Sequence, residues 1–203
     1  MTAGQQPLLG WRLWRLHGGR LRSWVVDEDW EAGPNEARCL ASTHPASVFD
    51  QSRGRCAHPP GMNCKCGLWA LWDYGRCARK AREESQRWDS RDVVIGLMAG
   101  WGTVAIHGDE GFRSQYAMVR CLFTDAISDR LPDAAERRPG WWERLIRLMR
   151  VGEPGGKRAA ALRQAAELYG VPLLSLEDAI RLGVLSEFGV PPSRIREAAA
   201  QLP

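Results

Sequence analysis

The side chains most able to do chemistry are six cysteines, at positions 39, 56, 64, 66, 77 and 121, and four histidines, at 17, 44, 58 and 107. Cys64-Lys65-Cys66-Gly67 places two thiols two residues apart, followed by a glycine that lets the backbone bend until both reach one ion. His58 lies just upstream, before Pro59-Pro60-Gly61, and Cys39 lies earlier. Zinc takes four thiolate or imidazole ligands in a tetrahedron. The spacing therefore predicts a structural zinc site of Cys39, His58, Cys64 and Cys66, with Cys56 and His44 as substitutes. A closed set of four protein ligands stabilises a fold, whereas a catalytic site leaves one position open to water. The spacing is not the paired C-x2-C of a standard finger. The His-x-Glu and Pro-Cys-x-x-Cys pattern of zinc deaminases is missing from the sequence, which disfavours that enzyme class. The alternative is a set of small buried thiols around a proline loop.

Two other groupings have some chemistry in them. His107, Asp109, Glu110 and Arg113 surround a turn and could serve acid–base work, but no nucleophile accompanies them, and hairpin tips are polar for solubility alone. Gln164 to Ile180 has the register of a helix-turn-helix. Pro172 and the acidic Glu177 and Asp178 stand where a recognition helix would face phosphate, which weakens that reading.

The elements that must position these residues follow from periodicity and turn residues. Two apolar runs, Leu8 to Leu16 and Leu21 to Val26, flank Gly18-Gly19 and predict a hairpin with a two-residue loop. In that register Leu16 opposes Leu21, Leu13 opposes Trp24, and Arg15 faces Arg22, so the two cations must splay into water or share an anion. Glu36 to Ala41 is expected as a short strand carrying Cys39. Residues 42–63 read as a long loop, which a metal would anchor. Gly75 to Trp88 looks helical, with Ala78 and Ala81 inward and Arg76, Arg79, Lys80, Arg82 and Arg87 around the polar sides. Val93 to Ile106 is a continuous apolar run whose glycines share one face, as in a bent central strand against which something packs closely. Phe112 to Phe123 is expected to return antiparallel. Residues 131–140 read as a linker, and 141–150, 158–169, 175–182 and 191 onward as short helices.

Trp11-Arg12-Leu13-Trp14-Arg15-Leu16, Leu21-Arg22-Ser23 and Glu36-Ala37-Arg38-Cys39 are the first parts of a wider motif. It continues from His58 through Cys64-Lys65-Cys66-Gly67-Leu68-Trp69-Ala70, and from Trp101-Gly102 through His107-Gly108 to Gly111-Phe112-Arg113. Together, over residues 10–123, these resemble a family of uncharacterised actinobacterial and actinophage proteins. In that family the Cys, His and Cys-x-Cys-Gly positions recur together. The resemblance thus implies that Cys39, His58, Cys64 and Cys66 form one site; it implies a domain and no particular activity.

Composition bounds the rest. Of the 28 basic residues all but Lys65, Lys80 and Lys157 are Arg, and ten of the seventeen aromatics are Trp. So much Trp argues against general disorder. The formal net charge of +4 is mild, but residues 51–91 hold nine basic and four acidic groups, which would attract a polyanion or simply solvate a helix face. With no export signal at residues 1–10 and no apolar run of spanning length, a cytoplasmic protein with reduced thiols and no membrane partner is expected. The fold expected is α+β: a Trp-rich antiparallel β domain with a metal-pinned loop over 1–131, and a helical C-terminal subdomain over 132–203. The function expected is a non-enzymatic, metal-stabilised binding module contacting nucleic acid through Arg and Trp surfaces, Arg76, Arg79, Lys80, Arg82 and Arg87 foremost. A protein-interaction or oligomerisation adaptor and a metal-dependent enzyme are the alternatives.

Overall fold

The computed structural model describes residues 6–39, 56, 58–61, 64–85, 93–124, 154–200 and 202. His44, Arg87, the linker at 131–140 and the helix expected at 141–150 lie outside the described residues. The chain is α+β, as expected: the described residues form a seven-stranded sheet with helices on both faces.

The strands are β1 (Leu8–His17), β2 (Arg20–Ser23), β3 (Asn35–Glu36), β4 (Leu68–Leu71), β5 (Val93–His107), β6 (Gly111–Phe123) and β7 (Leu173–Leu174). Gly18 and Gly19 both adopt positive φ, which the tight β1–β2 turn requires, and the ladder runs from His17↔Arg20 to Trp14↔Ser23. Leu16 opposes Leu21 and Arg15 opposes Arg22 as the sequence predicts; the ladder stops one pair short of Leu13 and Trp24. β1 pairs along its other edge with β5, β5 with β6, β6 with β4, and β4 with β1 at Trp11↔Leu71. These four ladders close a ring. β5 can serve in it because its register shifts at Leu97/Met98 and again between Trp101 and Val104, where Gly102 takes positive φ. The shared glycine face also has its reason. A Cβ on Gly96 would lie 3.0 Å from Trp14, and one on Gly100 would lie 2.6 Å from Phe112, so the two aromatic rings occupy that space.

The sheet is buried on both faces, which is why β1 shows no simple alternation. Trp11 and Leu13 join one core with Val93, Ile95, Leu97 and Phe123. Helix α1 (Tyr74–Ser85) covers that core with Tyr74, Cys77, Ala78 and Ala81, together with α3 (Leu176–Arg181), α4 (Val184–Glu187) and α5 (Pro192–Ala199). Trp14, Leu16, Val94, Met98 and Phe112 form the second core, covered by Leu162, Ala165 and Ala166 of α2 (Pro154–Tyr169). Ser175 caps α3 by accepting from the Asp178 amide, with Glu177 and Asp178 in the first turn.

Two expectations are corrected. The strand carrying Cys39 is only Asn35–Glu36, so Cys39 lies on the connection that follows. The helix-turn-helix is overturned: between α2 and α3 the chain enters β7, which pairs parallel with β6 at Leu122↔Leu173 and Phe123↔Leu174. Tertiary pairing with the sheet consumes the segment that a compact turn would need, and Leu176 and Ala179 of α3 are buried in the core.

Candidate metal centre

Cys39, Cys56, Cys64 and Cys66 bring their sulfurs within 4.8 Å of one another. The Sγ atoms of Cys39 and Cys64 are 3.6 Å apart, and those of Cys56 and Cys66 are 3.1 Å apart. None of the four is in a disulfide, and the sulfurs are too far apart for one. A tetrahedron with metal–sulfur bonds of about 2.3 Å has edges of about 3.8 Å, so the cluster lies close to the size a tetrahedral thiolate site requires.

The local chain explains the convergence. Gly61 packs directly against Cys56 and Cys64: a Cβ there would lie 2.6 Å from the Cys56 Cβ and 3.4 Å from that of Cys64. The Cys64 amide donates to the Gly61 carbonyl at 3.2 Å, closing the turn that delivers the Cys-x-Cys pair. The Cys66 amide in turn donates to Cys64 Sγ at 3.4 Å. Gly67, with φ of 120°, sits where a side chain would strike Arg113 and Pro60. Burial pushes the Cys66 thiol well up from its usual value and raises that of Cys56. A bound cation opposes that shift, because it takes up the thiolate and releases the proton.

His58 is on this loop but exposed, and it is not among the four clustered groups; Cys56 takes the fourth place. The turn through Pro60 and Gly61 folds the Cys56 side chain inward against the Cys-x-Cys turn and leaves the imidazole outside. Spacing places His58 among the ligands and Cys56 only as a substitute. The feature that separates them is the closeness of Gly61 to Cys56.

Arg113 is the residue that sequence reasoning assigned to another cluster. Only 3% exposed, it donates from Nη1 to the Cys64 carbonyl and, at 2.9 Å, to the Cys66 carbonyl. Its Nε donates to His107 Nε2 at 2.7 Å, and its guanidinium lies 5.3 Å from the centre of the Trp69 ring. Trp69 stacks on His107 with centroids 4.6 Å apart and donates from its indole to the Lys65 carbonyl at 3.1 Å. A sheet-borne arginine thus holds the Cys-x-Cys turn by its backbone, and Trp69 clamps the same turn from β4. The acid–base grouping at the β5–β6 turn dissolves accordingly. His107 and Arg113 face the cysteine loop, whereas Asp109 pairs with Arg76 of α1 at 2.6 Å.

Of the basic residues expected to contact nucleic acid, Arg79, Lys80 and Arg82 are exposed on α1, and Arg76 is half-buried beside Asp109. No helix among the described residues is long and apolar enough to cross a membrane. Comparison with protein-family models, with curated proteins and with solved structures finds no match.

Proposed function

We propose that this chain is a non-enzymatic, metal-stabilised binding module. In it, Cys39, Cys56, Cys64 and Cys66 hold one structural zinc ion as thiolates, and the basic side of α1 contacts nucleic acid. The observation that carries the metal reading is the convergence of four sulfurs within 4.8 Å from three separate stretches of chain. A soft tetrahedral sulfur set suits zinc or iron. Four thiolates fill the coordination of zinc and leave no position for water, which favours a structural role over a catalytic one. The partner reading rests on the exposed Arg79, Lys80 and Arg82. Kinship with the actinobacterial and actinophage proteins belongs to the same proposal and is supported by the motif likeness alone.

Elemental analysis of protein purified without chelator tests the metal. About one zinc per chain is expected in the wild type and in His58→Ala, with loss in Cys56→Ser and Cys66→Ser. Metal-free wild type, or loss in His58→Ala with retention in Cys56→Ser, overturns the site. Binding of labelled single- and double-stranded oligonucleotides across a salt series tests the partner. Affinity is expected to rise as salt falls, and replacing Arg79, Lys80 and Arg82 with Gln is expected to flatten the log–log slope by about 2–3. No binding at low salt removes nucleic acid and leaves a protein partner.

A further inference from the structure

Arg12 pairs with Gly96 of β5 along one edge of β1 and sits at a gap along the other: β4 pairs there at Trp11↔Leu71, and β2 begins only at Trp14↔Ser23. Its Nη1 donates to the Trp69 carbonyl of β4 at 2.6 Å, and its Nη2 makes a long 3.4 Å contact with the Ser23 hydroxyl of β2. The guanidinium lies over Trp30, 4.6 Å from the ring centre. Nε is buried without a hydrogen-bond partner, and no carboxylate among the described residues pairs with this cation. Desolvation lowers its pKa to about 9, although part of the side chain keeps contact with solvent.

That contact is with a cavity of about 340 Å³, walled by Trp11, Leu13, Trp24 and Trp69. Around it, Arg38, Lys65 and Lys80 are matched in number by Glu28, Glu36 and Glu110, so the charge left over is that of Arg12. Enclosed cations are retained where a counter-charge meets them. The volume is that of a small-molecule site, and apolar walls with a few polar groups among them are what such sites present. A single excess positive charge calls for a monoanion, and a planar guanidinium fork matches a carboxylate. Tryptophan walls suit an aromatic or aliphatic body.

We propose that this cavity binds a small organic monocarboxylate with an aromatic or aliphatic body, its carboxylate meeting Arg12 and its body lying between Trp11, Trp24 and Trp69. The site does not depend on the metal reading.

Calorimetry and tryptophan fluorescence on the full chain provide the test. The probes are 3-phenylpropionate and hexanoate, with 3-phenylpropionamide and phenyl phosphate as comparators. Saturable binding of the carboxylates at millimolar concentration is expected, with the amide weaker by about tenfold or more because it lacks the charge. Phenyl phosphate is expected to be weaker than the carboxylate. Val25→Glu, at an exposed position on the cavity wall, places a competing carboxylate there without disturbing the core and is expected to weaken binding several-fold. Arg12→Gln is expected to erase the preference for acid over amide. If that variant does not fold, the acid-to-amide ratio and Val25→Glu decide. Absence of carboxylate binding, equal binding of the amide, tighter binding of the phosphate, or indifference to Val25→Glu each overturns the assignment.

Discussion

Arg113 makes its donations to two carbonyls that no ladder partner reaches, those of Cys64 and Cys66, and so holds the backbone that carries both thiols. Arg113→Met would keep the stem and remove the fork. Each carbonyl left unpaired costs about 1–3 kcal/mol, so a loss of about 2–4 kcal/mol in urea unfolding is expected. Residues that orient metal ligands from behind change metal affinity by about 10–100-fold, and the same drop is expected in competition against a chromophoric zinc chelator. Arg113→Lys should recover little, because one ammonium cannot serve both carbonyls and the His107 nitrogen together. Zinc affinity unchanged in folded Arg113→Met would show that the loop holds its own geometry. Buried arginines were the least legible part of the sequence. Among 25 arginines nothing in residue type marks Arg12 or Arg113 as interior, because burial of a guanidinium is decided by which carbonyls and rings surround it. The choice of Cys56 over His58 was hidden for a related reason: it depends on how one turn folds back, and both residues lie on that turn.

At the scale of the element, the β1–β2 hairpin was legible because positive-φ glycines and flanking apolar runs fix both turn and register. β5 was legible because its glycines fell on one face. β7 was not, since a two-residue pairing at the end of a long connection leaves no local pattern. The hairpin also resolves the opposition of Arg15 and Arg22: Arg22 turns to Asp29 at 2.7 Å and Asp27 at 2.9 Å, both in the segment that follows β2. The hydrogen bond from Arg22 holds the Asp29 carboxyl below its ordinary value of 3.8. Its stabilisation is therefore complete above that value and is lost as pH falls through the lower folded-state value. The pair is partly solvated, so Asp29→Asn is expected to cost about 1 kcal/mol or less at neutral pH. That difference should shrink toward zero in acid unfolding series below pH 3.8. A difference that persists in acid would mean that Asn disturbs the hairpin by some route other than charge.

Over the whole molecule, the C-terminal helices are joined to the sheet by more than apolar contact. α2 packs so closely on the β1–β2 turn that a Cβ on Gly19 would lie 2.5 Å from Gln164. At the end of α2, Tyr169 accepts from the Leu21 amide at 3.0 Å and donates to the Trp30 carbonyl at 2.7 Å. These are backbone groups of the segment that also supports Arg12, through Trp30. Leu176, Leu185 and Ala198 then share a core with Trp11 and Ile95. Residues so connected should unfold together, and helix ellipticity and tryptophan fluorescence are expected to give coincident urea transitions. Tyr169→Phe removes both hydrogen bonds and strands an amide and a carbonyl, at a cost of about 2–4 kcal/mol. Both signals should move to the same lower midpoint. Burial also raises the Tyr169 phenol above its usual value of 10.0. The folded state thus keeps a proton that the unfolded state releases, and this contribution is constant below pH 10.0 and declines as pH rises past it. In the Phe variant that alkaline component should be missing. Should the helix signal shift alone while fluorescence keeps its midpoint, the helices would be a separately folding unit resting on the sheet, and the hydrogen bonds of Tyr169 would contribute only locally.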